Sequence, residues 1–542
     1  MNSIFDQHNH QNDGHPDLSA YPSDSVCLIN PPSPFLLDER VFPSLGLLKV
    51  AASLENASIP VHILDLSGVE NFLEVLENYL ESTTSLHFGL TATTPQLPSV
   101  FRILEVIRRQ KPSARVILGG PHVTLVASAS KMESRLGRQQ GRGDRAFQQL
   151  LDHFDVVVSG DGELAILRAI LPNPPSFIDG DDPSGNFFMT RDFYDQSPMP
   201  ARHLIDLESY QYKIEGHLAT SLIAQLGCPF NCGFCGGRNS KSLRVIRSRS
   251  HQSVLNEIEF LHSRYGYTGF MFYDDELNVN KGMVDLMNGL SDLQSRLGTD
   301  FRLRGFVKSE LFTDEQASAM YRAGFRWLLS GFEAADPRIL TNINKKATVD
   351  DNTRAIEIAA RHGLKVKALM SCGHPGESEQ SIQSIHSWLV RNQVDDFDCT
   401  IITPYPGTPY YDLATPNPHQ PNVWTYTAPK TGDRLHSFEI DYSTTANFYK
   451  GIPGEGYQSF VYSDFLTPQQ IVRLRDWVES ETRRKLDIPF NPSRAAQRYE
   501  HSMGQGLPPS VLKPATHKVQ VHYYYDPQVV YPEKHQARMP LI

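Results

Sequence analysis

Strand-length apolar runs alternate with helix-length amphipathic stretches twice along this chain, and that alternation limits the fold more than any other feature. The first series starts at Val26-Cys27-Leu28-Ile29 and continues at residues 61–66, 88–90, 116–118 and 156–158. Apolar residues at helical spacing lie between, as in 44–54 (Leu45, Leu48, Ala52) and 100–109. Strands alternating with helices return parallel, so residues 25–172 are expected to form a doubly wound, Rossmann-like α/β sheet. The second series has a longer period, with strands at 222–226, 269–273, 301–307, 327–332, 366–370 and 399–403. Helices are expected between them at 253–265, 283–297, 314–323, 351–362 and 381–392. Six such units over residues 216–414 predict a partial (β/α)6 barrel of the TIM type.

The remaining stretches fall around these two blocks. Residues 1–24 are rich in Asn, Asp and His and read as a disordered tail, with neither the basic start nor the apolar core of a signal or transit peptide. Residues 173–215 carry Pro, Asp, Gly and Ser and read as a linker, packed through Phe187, Phe188, Phe193 and Tyr194. Residues 131–149 are basic and read as an inserted surface helix or loop. Residues 415–542 are expected to be a small, mostly helical capping region. Thr467 and Pro468 start a helix there that runs towards Leu486, and a polar tail with Tyr523-Tyr524-Tyr525 follows.

A length of 542 residues suits two or three domains. A net charge of −10 argues against a surface that coats nucleic acid. No apolar run approaches the roughly 20 residues of a membrane span. Six cysteines, three of them scattered at Cys27, Cys372 and Cys399, make no disulfide framework and suit a reducing, cytoplasmic setting.

The other three cysteines are Cys228, Cys232 and Cys235, spaced C-x3-C-x2-C among Gly227, Gly233, Gly236 and Gly237. Thiolates at this density point to an iron–sulfur cluster, and three of them leave one iron of a four-iron cubane open for chemistry. A zinc knot completed by His217 or His251, or a disulfide with one thiol left over, is the competing reading of the spacing. Polar groups recur at the expected strand ends of the second series: Asp274-Asp275-Glu276, Lys308-Ser309-Glu310, Glu333, Gly373-His374-Pro375-Gly376-Glu377 and Tyr405-Pro406-Gly407-Thr408. Barrel enzymes place their reactive groups at that rim. The acids at 274–276 are candidates to hold an ammonium or to cap a helix, and Glu333 to accept from ribose hydroxyls or to form a buried ion pair. Phe234 is a candidate to pack on a cofactor or within the loop; His374 is a base, a contact or a structural residue.

In the first series the strand ends carry Asn30-Pro31-Pro32, Thr91-Ala92-Thr93-Thr94, Gly119-Gly120-Pro121-His122 and Gly160-Asp161-Gly162-Glu163. Small turns suit a large flat ligand or simply short loops, and no G-x-G-x-x-G opens the first helix, which disfavours a nicotinamide dinucleotide.

Taken in order, the cysteine loop, Arg247-Ser248, Phe272-Tyr273-Asp274-Asp275-Glu276, Ser330-Gly331-Phe332-Glu333, Ile343-Asn344-Lys345 and Gly373-His374-Pro375-Gly376-Glu377 resemble the radical S-adenosylmethionine superfamily. Pro43-Ser44-Leu45-Gly46-Leu47-Leu48 and the Gly119 and Gly160 turns resemble the cobalamin-binding domain of its cobalamin-dependent branch. The resemblance implies a 4Fe-4S cluster on Cys228, Cys232 and Cys235, and S-adenosylmethionine at Phe234, Asp274, Asp275, Glu276, Glu333 and Gly376. It further implies cobalamin at Gly119, Gly120, His122 and Gly160, although the D-x-H-x-x-G motif that supplies a histidine to cobalt is missing. The implied reaction is reductive cleavage of S-adenosylmethionine to a 5′-deoxyadenosyl radical, with methylation of an unactivated carbon of a small molecule. A radical cyclisation or rearrangement, or a non-catalytic sensor, are the alternatives. The implied partner is an electron donor such as flavodoxin or ferredoxin.

Overall fold

A computed structural model describes residues 25–33, 40–138, 140–448 and 457–489. The expected tails at 1–24 and from Asn491, with Tyr523-Tyr524-Tyr525, lie outside the described residues. The first sheet is parallel throughout: β1 (Val26–Asn30), β2 (Val61–Asp65), β3 (His87–Thr91), β4 (Arg115–Gly119), β5 (Val156–Gly160) and β6 (Phe177–Gly180), in the order 2-1-3-4-5-6. Its strands read as unbroken apolar runs because both faces are covered. Cys27 and Ile29 of β1 pack with the helices Phe72–Ser82 and Leu97–Gln110, while Val26 and Leu28 pack with Leu45–Asn56 and Gly162–Ile170. Winding reverses between β1 and β3, and the crevice beyond their carboxyl ends is where such sheets bind ligands. The stretch read as a linker supplies β6, paired with β5 from Phe177 to Gly180. Four residues, two apolar followed by Asp179 and Gly180, between prolines are too short a signal to read as a strand.

The second sheet runs β15-β14-β13-β12-β11-β8-β7. It comprises β7 (Lys213–Ile214), β8 (His217–Leu222), β11 (Gly269–Phe272), β12 (Arg302–Phe306), β13 (Phe325–Glu333), β14 (Lys365–Cys372) and β15 (Asp396–Ile401). Strands β8 and β11 to β15 are parallel and follow chain order without β15 returning to β8, which is a six-strand partial barrel. The first barrel strand lies five residues earlier than its apolar pattern predicts, because His217, Thr220 and Ser221 interrupt the apolar sequence of β8. An antiparallel pair, β9 (Gln225–Leu226) and β10 (Arg247–Ser248), then frames the cysteine loop.

An open barrel leaves β15 with an unpaired edge, which must be covered. The helix Pro468–Leu486 covers it with side chains that replace a strand. Arg475 donates to the Cys399 carbonyl at 2.7 Å, Arg483 to the Phe397 carbonyl at 2.7 Å, and Glu479 accepts from the Cys399 amide at 2.7 Å. Thr467 caps this helix and Pro468 opens it, as expected. The C-terminal region also holds a four-stranded antiparallel sheet: β16 (Thr415–Pro416), β17 (Val423–Thr427), β18 (Arg434–Phe438) and β19 (Val461–Ser463).

Buried polar clasps join the two sheets. Asp161, after β5, pairs with Arg247 of β10 at 2.5 Å. Asp181, after β6, accepts from the Ser240 hydroxyl at 2.6 Å and from the Ser242 amide and hydroxyl at 2.7 Å. The basic stretch at 131–149 belongs to the helices Pro121–Arg135 and Arg142–His153 and is a contact between the units rather than a free surface insertion. Arg138 donates to the Asp412 and Ala414 carbonyls at 3.1 Å, and Arg142 to the Tyr411 carbonyl at 2.7 Å.

Candidate active site

The cysteine loop is held from both sides by its own backbone. Arg238, almost fully buried, donates to the carbonyls of Cys228 (3.1 Å), Phe230 (2.8 Å) and Gly236 (2.9 Å). Arg244 takes the Pro229 carbonyl at 2.6 Å. On the other side Gly233 donates to Ile343 (2.8 Å), Tyr410 donates to Gly233 (3.0 Å), and Asn344 donates to the Asn231 carbonyl (2.9 Å). The ring of Tyr410 fills the space where a side chain at position 233 would stand. With the carbonyls engaged, the loop's unspent chemistry is its sulfurs.

All six cysteines are free thiols. Burial raises Cys232, against the pull of Lys345 and Lys308, and raises Cys235 to about 12, against Arg238. A bound metal deprotonates a coordinating thiol outright, and these cations lie on the side that favours the thiolates. Among the described residues no three His, Cys, Asp or Glu side chains come close enough to share one metal ion. His217 opens β8 at the far rim, bonded to Thr268 at 3.0 Å, and His251 opens the helix His251–Tyr265 against Gly282. The donor set, three thiolates on a pinned glycine-rich loop with cations beside them, therefore fits a cluster.

The acidic set follows β11. Asp274 is 1% exposed; its Oδ2 accepts from the Ala224 amide at 3.1 Å, the Gln225 amide and its own also approach the carboxyl, and its buried Oδ1 makes no well-formed hydrogen bond. Burial pushes its carboxyl up to about 7. An orphaned buried carboxylate oxygen is costly and calls for a donor from outside the chain, which fits a ligand ammonium. Glu276 is also pushed up to about 7 by burial, against Lys345 and Lys308, and Asp275 is raised by burial of its carboxyl although the residue as a whole is exposed. Neither caps a helix: the 3-10 turn Leu277–Val279 starts without a side-chain cap bond from Glu276.

Glu333 ends β13 at φ 66°. The left-handed region costs a non-glycine residue of order 1–3 kcal/mol, and such strain concentrates at functional sites. The β13–β14 register slips between Gly331 and Glu333. Lys345 holds it at 3.2 Å and the Ser371 hydroxyl donates to it at 2.7 Å. Gly331 leaves room for that pair, since a Cβ there would lie 2.5 Å from the Glu333 carboxylate. Lys308 donates to the Lys345 carbonyl at 3.0 Å and sits 4.2 Å from the centre of the Phe230 ring.

Phe234 is half-buried, its ring edge-on to His374 at 5.7 Å. The side-chain space at Gly376 is taken by Asp433, 2.5 Å from where a Cβ would lie. His374 is fully buried. Arg238, Ser371 and Tyr410 escaped the reading of the sequence; only Arg238, directly after Gly236-Gly237, stands where a loop clasp is readable.

The first sheet presents a different mouth. Gly120 adopts φ 95°, and a Cβ there would meet Thr91 Oγ1 at 2.5 Å, so it is needed to fold one turn onto the next. The corresponding space at Gly160 is filled by Gly180 and Asp181, while Gly119 has only ordinary contacts with Val158. His122 is 1% exposed, its Nδ1 3.0 Å from Thr94 Oγ1, and burial lowers its ring to about 3, so it is a neutral internal group. Asn30 bonds Asp65 (3.0 Å) and Ser67 (2.6 Å). Gly46, in the helix Leu45–Asn56, stands exposed with nothing within 4 Å of its Cβ position. Backbone turns and small residues around the β1–β3 switch point form a surface that fits a broad, flat ligand.

The profile of the Radical SAM superfamily matches residues 222–389, and that of the B12 binding domain matches residues 39–151. The chain belongs to the cobalamin-dependent radical S-adenosylmethionine enzymes. Its cofactors are accordingly a 4Fe-4S cluster, S-adenosylmethionine and cobalamin. An uncharacterized methyltransferase of Pyrococcus horikoshii is 25% identical, over 72% of this chain and 83% of that protein. An anaerobic magnesium-protoporphyrin IX monomethyl ester cyclase of Cereibacter sphaeroides is 24% identical, over 63% of this chain but only 56% of its own length. Among solved structures, the radical S-adenosylmethionine methyltransferase TsrM of Kitasatospora setae shares the fold, with a TM-score of 0.59 and 18% identity over 75% of this chain and 81% of that one. Among the described residues no helix is long and apolar enough to cross a membrane.

Proposed function

We propose that this enzyme methylates an unactivated carbon of a small molecule. Methyltransferases among its relatives support the reading, and the observation that carries it is the pairing of a pinned three-cysteine loop with an orphaned buried acid at one mouth. Cys228, Cys232 and Cys235 hold the cluster. Asp274, with Asp275 and Glu276 beside it, receives the ammonium of S-adenosylmethionine, and Glu333 receives its ribose hydroxyls. Phe234 walls the cluster side. Turns at Gly119 and the β1–β3 crevice receive cobalamin; Gly120, Gly160 and His122 shape those turns from within. When bound, the cluster supplies the electron that cleaves S-adenosylmethionine, and cobalamin supplies the methyl carrier.

The chain's own residues do the positioning. Lys345 and Lys308 offset negative charge at the sulfurs, Arg238 fixes the loop, and the clasps through Asp161 and Asp181 keep the two mouths in register. A flavodoxin or ferredoxin in the cytoplasm would deliver the electron. Protein isolated from cobalamin-fed cells should retain corrinoid, seen in its visible spectrum, and should transfer label from methyl-labelled S-adenosylmethionine to that corrinoid. A preparation that never retains corrinoid would reduce the first sheet to a scaffold and remove methyl transfer.

A further inference from the structure

Behind Glu333 a chain of side chains leads back to the cysteine loop, and none of its members needs solvent. The Ser371 hydroxyl has one proton, which it donates to Glu333 Oε2 at 2.7 Å. Its oxygen must then accept at the 2.8 Å contact with His374 Nε2, so the His374 proton sits on Nε2. The ring is fully buried and neutral. Its Nδ1 is left as an acceptor facing the Tyr410 hydroxyl at 3.4 Å, the longest link. Tyr410 packs on Gly233, between Cys232 and Cys235, and its amide donates to the Gly233 carbonyl at 3.0 Å. Each group has one role left once its neighbour's is assigned, so the donor direction runs from Tyr410 through His374 and Ser371 to Glu333.

We infer that Ser371, His374 and Tyr410 are positioning residues that fix the direction of the Glu333 carboxylate relative to the cysteine loop. A carboxylate on a left-handed residue beside a register slip has no regular backbone ladder to hold it. Lys345 grips Oε1 and this chain grips Oε2, so both oxygens are fixed in place and each keeps a lone pair for a ligand. The inference rests on the reading of Glu333 as a contact of S-adenosylmethionine.

The test is equilibrium binding of S-adenosylmethionine to the reconstituted, oxidised protein, which needs no turnover. Ser371→Ala should weaken binding about two- to tenfold, the net worth of one hydrogen bond. Ser371→Thr should retain it, and Tyr410→Phe, which removes one oxygen and keeps the packing, should give a smaller loss. Both losses should vanish in a Glu333→Ala/Lys345→Met background, where no buried charge is stranded and nothing remains to be positioned. Equal losses in both backgrounds, or none from Ser371→Ala, overturn the inference. If the Glu333→Ala/Lys345→Met protein binds as tightly as the native one, the functional reading of Glu333 falls and this inference with it.

Discussion

The two mouths are built from the same kind of element, parallel strands ending in short turns, yet they treat their polar groups in opposite ways. At the first sheet nearly every polar side chain is spent within the protein: His122 on Thr94, Asn30 on Asp65 and Ser67, Asp161 on Arg247. At the barrel an aspartate oxygen is left buried and unpaired, a glutamate sits at φ 66°, and two lysines stand beside cysteines. A buried acid with an unsatisfied oxygen is costly in a ligand-free protein and useful only to a ligand that can donate to it. A surface of backbone and small side chains gains most from a large flat one. The barrel mouth is thus prepared for ionic recognition and the first sheet for shape.

Three substitutions probe that contrast, from the largest expected effect to the smallest. Asp181→Ala strands the donors of Ser240 and Ser242 between the two units. It should cost about 1–3 kcal/mol per unsatisfied buried group, read by denaturant unfolding, and should loosen corrinoid and cluster together; losing one without the other would mean the mouths are independent. Asp274→Asn concerns the barrel alone. Because burial raises its carboxyl to about 7, the folded chain holds more protons than the unfolded one between about pH 4 and 7, so this group lowers stability as pH rises through that window. The variant should therefore melt higher than the native ligand-free protein above pH ~7 and bind S-adenosylmethionine more weakly; a lower melting temperature there would show that Oδ1 has a partner. His122→Asn should change corrinoid retention less than about twofold, since its ring bonds only internally. Complete loss of corrinoid would place that ring at the ligand and erase the difference between the mouths.

Much of this was legible from residue pattern. Five of six strands in the first sheet and the C-x3-C-x2-C loop stand out because apolar periodicity and cysteine spacing are local signals. Features set by long-range packing were not. Strand β6 is four residues long, β8 is interrupted by polar residues, and β16 to β19 are two to five residues each, so none carries a readable period. The resemblance implies ligand contacts at His122 and Gly376, and only the fold shows Tyr442 beside the one and Asp433 against the other, residues distant in sequence. Ser371 and Tyr410 have no motif at all; only the fold brings them to His374, 3 and 36 residues away in sequence.

The cysteine loop and the acids that follow β11 are the proposed site for reductive cleavage of S-adenosylmethionine. Anaerobically reconstituted protein, reduced with dithionite and given S-adenosylmethionine, should form 5′-deoxyadenosine, while Cys232→Ala should not rise above background. Equal product from both, or none from native protein with its cluster fully loaded, would contradict it.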